Sequence, residues 1–212
     1  MSNLFALLTV LLAAAPLFSA EGKTYHRLAV KAAEVERTLA GGKDIYLVLD
    51  LGERTLSLKA KGVVLRSWML SRAGTWGGPI ALDPVTLNKK LSFAQPKRPE
   101  IEPGDTENEG AADLQVLEVI DMPRRYSLIA DTNIRLYIRA RSRGISAALD
   151  FINRISRKIF LFPVLTIAAA SRKTSFRAVE ITLSDADEAR ALYWSAYQGI
   201  KMIVLPDFVR KI

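Results

Sequence analysis

The side chains that supply most enzymes with nucleophiles and bases are nearly missing from this chain. It has no cysteine and one histidine, His26. The first absence rules out a thiolate nucleophile, a thiolate zinc site, a disulfide scaffold and a lipidated N-terminal cysteine. The second rules out multi-histidine metal sites. It also leaves any Ser-His couple dependent on His26, which the surrounding pattern reads as an exposed helix residue. No serine is followed by lysine three places on and no Gly-x-Ser-x-Gly occurs, so serine acyl-enzyme chemistry has no motif. Gly41-Gly42 and Gly77-Gly78 are isolated pairs, unlike the spaced glycines of a phosphate-cradling loop. Asp105, Glu107 and Glu109 precede Gly110 in the manner of a calcium loop, but Val116 stands where the closing glutamate belongs. That pattern reads as a plain acidic loop. No metal and no cofactor are expected.

What the chain does hold is cationic chemistry in one place. Of its 30 Lys and Arg and 22 Asp and Glu, twelve basic residues but only Asp131 and Asp150 fall between Met122 and Val179. That local excess is larger than the net +8 of the whole chain. Along Ile134 to Arg143, Arg135, Tyr137, Arg139, Arg141 and Arg143 alternate with Ile134, Leu136, Ile138 and Ala140. Period-two geometry would gather the arginines on one face of a strand. Arg154, Arg157 and Lys158 follow on the polar face of a helix. These seven, Arg135, Arg139, Arg141, Arg143, Arg154, Arg157 and Lys158, are the candidate anion-binding residues. The bland reading of the same stripe is a solvated sheet face; the functional one is a surface for an anionic polymer or lipid headgroups. No aromatic stacking motif accompanies them, and nucleic acid is not the expected partner.

Several elements must position this face. Residues 1–20 carry no charge, and Leu4 to Ala20 is apolar apart from Thr9 and Ser19, which reads as an export signal cleaved after Ala20. Phe18 is bulky for such a cleavage site, and a retained anchor is the alternative, since a span needs roughly 17 to 25 residues. Lys23, Arg27, Lys31 and Arg37 all follow the segment and none precedes it, which for an uncleaved helix would favour a cytoplasmic body. Leu28, Ala32, Val35 and Leu39 have helical spacing, ended by Gly41-Gly42. Asp44 to Ser71 reads as three strands, with turns at Leu51 to Arg54 and Lys59 to Gly62. Phe93 to Asp113 is a Pro, Gly and acid-rich loop, and Leu114 to Ala140 alternates again. Ile145, Leu149, Ile152, Ile155, Ile159 and Phe162 recur at three and four, an amphipathic helix. With 212 residues, half of them apolar and a quarter charged, one domain with a substantial core is the default.

The closing stretch Ile181 to Leu205 (ITLSDADEARALYWSAYQGIKMIVL) resembles the end of the L,D-transpeptidase (YkuD-like) catalytic domain. There a strand with the nucleophilic Cys and an Arg runs into a helix starting near Leu-Ser-Asp-Ala-Asp, then a Gly and a last strand. The meander over Asp44 to Ser71, ending Ser71-Arg72-Ala73-Gly74, and the Met122-Pro123 segment before a short strand are similar to the same family. The resemblance implies a mainly β, α+β fold. A YkuD-like β-sandwich or barrel would occupy 44–212, after a signal or anchor at 1–20 and an N-terminal helix at 21–43. It would carry an inserted amphipathic helix over Ile145 to Phe162 and a C-terminal strand-helix-strand.

The catalytic positions depart from the family. Glu180 stands at the Cys, Tyr137 at the His, Thr182 at the Arg and Val179 at the Gly. Acyl transfer of this kind needs an activated nucleophile with a base in reach, so the resemblance implies a pseudoenzyme. The resulting expectation is a non-catalytic, exported, periplasmic or cell-envelope protein that binds a peptidoglycan component, another anionic envelope polymer or a protein partner. Two alternatives stand beside it. One is a peripheral membrane protein that uses Ile145 to Phe162 as a basic interfacial helix. The other is a divergent transpeptidase or hydrolase working through replaced residues. Whether that helix packs its apolar face into the domain or leaves it open separates the first reading from the membrane one.

Overall fold

Apolar residues in several of these segments fall on both sides of a strand, and such strands need a cover on each face. A computed structural model describes residues 26–92, 119, 122–142 and 144–207. The apolar run at 4–20, the acidic loop with Asp105, Glu107 and Glu109, and Arg143 lie outside the described residues, as do the side chains of 145–147, 149 and 150.

Eight strands close into a barrel: β1 (Ile45–Asp50), β2 (Thr55–Ala60), β3 (Val63–Trp76), β4 (Val85–Ser92), β5 (Arg125–Ala130), β6 (Ile134–Ala140), β7 (Arg177–Leu183) and β8 (Lys201–Leu205). Around the barrel the order is β1-β2-β3-β7-β6-β5-β4-β8. The β1/β8 and β6/β7 pairs are parallel and the others antiparallel. Closure leaves no sheet edge open. The fold is therefore α+β; the N-terminal helix and the first three strands fall where the residue patterns place them, with β3 running on past Ser71 to Trp76, and a strand, helix and strand close the described residues. β4 had no clear signal, because a register shift between Leu87 and Lys89 breaks its alternation.

The interior is aliphatic. Leu47, Leu49, Leu56, Leu87, Leu128, Leu136, Ile138, Ile181 and Leu183 are buried together around Trp68, and helix α4 (Ala186–Ser195) adds Ala189, Leu192 and Tyr193. Asp185 caps α4, accepting from the Ala186 N–H. Helix α1, residues 26–40, covers the outside of β1 and β8. There Leu39 packs with Tyr46, Val48 and Ile203, and Glu36 pairs with Lys59. This outer cover is why β1 is buried on both faces.

The parallel β6/β7 pair requires a crossover, and it is helical throughout: α2 (Ile145–Ser156), a π turn (Arg157–Leu161) and α3 (Phe162–Ser171). The helix thus runs past Phe162, the end expected from the residue spacing, and through Pro163. A helical proline clashes with the carbonyl four residues before it. Here that residue is Ile159, inside the π turn, where the backbone is widened. Gly77, after β3, permits a close approach of two segments: a Cβ there would sit 2.2 Å from the carbonyl oxygen of Phe176, which follows the crossover. Among the described residues no helix is long and apolar enough to cross a membrane.

Candidate functional site

Tyr137 on β6 and Glu180 on β7 are register partners in the parallel pair. Their strand neighbours Leu136, Ile138, Val179 and Ile181 point into the barrel, so both side chains stand on its outer surface, under the crossover. Glu180 is met there by two cations of the π turn. Arg157 Nη2 lies 3.6 Å from Oε1 and Lys158 Nζ 3.9 Å from Oε2. The Arg157 guanidinium carbon is also 4.9 Å from the Tyr137 ring centre, a cation over an aromatic face. The separations from Glu180 are ion contacts and too long for hydrogen bonds. Glu180 Oε1 and the Tyr137 hydroxyl are buried with no hydrogen-bond partner among the described residues.

Beside this trio the crossover is seated by aromatics. Phe162, fully buried, lies 5.4 Å from Tyr137, 5.7 Å from Trp76 and 5.9 Å from Phe176 between ring centres. Trp76 Nε1 donates to Thr166 Oγ1 at 3.4 Å, and that hydroxyl donates to the Phe162 carbonyl at 2.7 Å. A carboxylate between two cations, with a tyrosine as neighbour, is not the thiolate-imidazole couple of a Cys-His site. What the arrangement does is bind the crossover to the barrel. Val179 points inward and is fully buried.

Scans against protein families, curated proteins and solved structures find no match to this chain.

The basic residues are partly gathered and partly separated. Arg135 and Arg139 face outward on β6 and are half-buried, and Arg141 is exposed just beyond the strand. Tyr137, between Arg135 and Arg139, is covered by Phe162. The single strip read from the sequence is thus divided by the helix above it. Arg154, Arg157 and Lys158 are half-buried, turned toward the barrel or its flank. A row across the sheet was not legible from any one segment. Register aligns Arg72 of β3 with Thr182 of β7, Thr182 with Arg139 of β6, and Arg139 with Arg125 of β5. Arg139 Nε donates to Thr182 Oγ1 at 3.0 Å. Two cavities open on either side of α2. One, about 490 Å³, takes in Arg125, Arg139, Asn153 and Arg157; the other, about 370 Å³, takes in Arg72, Arg139, Arg141 and Arg154.

The apolar side of the crossover is open. Phe151, Ile152, Ile159, Phe160, Val164 and Ile167 are 54% to 71% exposed, while Phe162 and Ala169 on the opposite side are buried. Of the apolar series at Ile145, Leu149, Ile152, Ile155, Ile159 and Phe162, only Phe162 is buried among the described side chains. The helix is amphipathic in the reverse sense to a surface helix of a globular domain, which turns its apolar stripe inward.

Proposed function

We propose that this is a non-catalytic envelope protein, related in fold to the L,D-transpeptidases, that is exported and works by docking on an anionic membrane surface. The observation that carries the reading is the outward apolar side of the crossover, within a stretch from Met122 to Val179 that holds twelve basic and two acidic residues. Contiguous exposed apolar side chains rimmed by polar groups mark surfaces that something else covers. Cations beside them favour a negatively charged partner over a neutral one. Loss of catalysis is supported by Glu180 and Tyr137 at the family's Cys and His positions, and by the two cations that hold Glu180. Export is supported by the uncharged run at 4–20; N-terminal sequencing of the protein from its host should give a start near Glu21.

Two measurements test the reading. Purified protein should co-sediment with vesicles containing phosphatidylglycerol, less with phosphatidylcholine vesicles and least with peptidoglycan sacculi; preference for sacculi would move the partner to the wall. Incubation with tetrapeptide-stem muropeptides should give no cross-linked dimer and no amino-acid exchange. Glu180→Cys should remain inactive, since Tyr137 cannot serve as the base and Val179 and Thr182 stay in place. Turnover by the unmodified protein would overturn the non-catalytic part.

A further inference from the structure

We infer that the cavity between α2 and the outer face of β3, β7 and β6 is a binding site for a phosphate ester. Its walls bring Arg72, Arg139, Arg141 and Arg154 together with the hydroxyls of Ser71, Ser142 and Thr182, and Phe151 closes one side. Among the described residues no acidic side chain lines it. The register places Arg72 and Arg139 on either side of Thr182, with Arg154 above on the helix and Arg141 at the end of β6. Arg139 is already oriented by the bond from its Nε to the Thr182 hydroxyl. Arg72, Arg141 and Arg154 supply the other donors.

Several features select phosphate among anions. Arginine forks match the oxygens of a tetrahedral phosphate as paired donors. The Thr182 hydroxyl, which accepts from Arg139, keeps its own proton to donate, while Ser71 Oγ donates to the Thr182 carbonyl at 2.9 Å. A volume of about 370 Å³ admits a phosphate with a small alcohol attached and excludes a long polymer in depth. Phe151 is 54% exposed and belongs both to this cavity and to the open apolar side of the crossover. A phosphate bearing an apolar tail could therefore place its head among the arginines and its tail beside Phe151. The same chemistry could come from a lipid headgroup or from a soluble phosphate ester. The inference rests on the cavity and not on membrane docking.

The test uses the full chain with glycerol phosphate as the soluble probe and phosphatidylglycerol vesicles as the lipid one. Binding of glycerol phosphate, followed by phosphorus NMR at fixed ionic strength, should weaken about tenfold on Arg72→Ala or Arg154→Ala, the order expected for one charge-assisted contact. Arg141→Ala, at an exposed position, should weaken it without affecting the fold. Arg72→Lys should recover only part of the loss, because charge remains and the fork does not. Arg135→Ala, outside the cavity, should leave binding unchanged. Equal displacement of the probe by chloride and by phosphate, or no loss in Arg141→Ala and Arg72→Ala, would overturn the site. If glycerol phosphate binds and vesicles do not, the site stands and the membrane reading falls. If vesicles bind and glycerol phosphate does not, the site falls and the membrane reading stands.

Discussion

Tyr126 shows how one side chain links the barrel to α4. Its hydroxyl donates to the Ala189 carbonyl at 2.9 Å, and its ring meets Tyr193 edge to face at 4.9 Å. Burial, and next the neighbouring Tyr193, push the Tyr126 hydroxyl well above the ordinary value of 10.0. A raised value means that the folded state holds this proton more tightly than the unfolded one. The contribution to stability is therefore complete below about pH 10 and is lost as pH rises through the folded value. Tyr46, raised mainly by burial with Glu36 adding to it, acts in the same direction. Urea unfolding followed across the alkaline range should show stability falling above about pH 10, and Tyr126→Phe should flatten part of that fall. At neutral pH the same variant should cost about 1 kcal/mol for the lost hydrogen bond. A pH slope equal in both proteins would contradict the assignment.

The crossover behaves as two faces with opposite tasks. Phe162 fills the space among Trp76, Tyr137 and Phe176, so Phe162→Ala should cost about 3 to 5 kcal/mol, the range for deleting a buried phenyl ring. Ile159 is 59% exposed, and Ile159→Ser should stay within about 0.5 kcal/mol of the parent, as surface changes do. Function should respond in reverse order. Ile159→Ser with Phe160→Ser should lower vesicle binding while the thermal transition stays in place. Chemical denaturation of each variant beside vesicle sedimentation separates the two effects. A large stability loss from the outward pair would mean that this side is packed in the folded protein.

Over the whole molecule, charge is distributed unevenly. The stretch from Met122 to Val179 holds twelve basic and two acidic residues, and the fold gathers Arg72 from a distant strand beside them. Exposed charges are screened within roughly 8 Å at physiological salt, and each Lys or Arg near an anionic lipid surface contributes about 1 kcal/mol. Vesicle affinity should therefore drop steeply as salt is raised. Reversal of Arg135 and Arg141 together should weaken it more than reversal of Lys61 and Lys89, which lie elsewhere on the barrel. Arg139 is left out of that comparison because its bond to Thr182 also holds the sheet. Sedimentation across a salt series reads both effects, and equal sensitivity to the two pairs would reduce the basic face to a solvated one.

The C-terminal strand-helix-strand was expected only from the family resemblance, while the residue patterns alone set several elements: the N-terminal helix ended by Gly41-Gly42, the first three strands and the alternation of β6. Their signals are local, since period and turn residues are written within each segment. The absence of cysteine, and with it of thiol chemistry, was equally legible. Three matters were decided only in three dimensions. Barrel closure depends on β4 and β8 finding each other and on β8 pairing with β1, contacts between segments far apart in sequence. The direction of the crossover's apolar side was invisible to periodicity, which reports that a stripe exists and not which way it faces. It turned outward because Phe162 and Ala169 on α3, with the ion contacts to Glu180, seat the helix through its other side. The arginine cavity arises from strand register, which sets Arg72, Thr182 and Arg139 side by side although more than a hundred residues separate the first two.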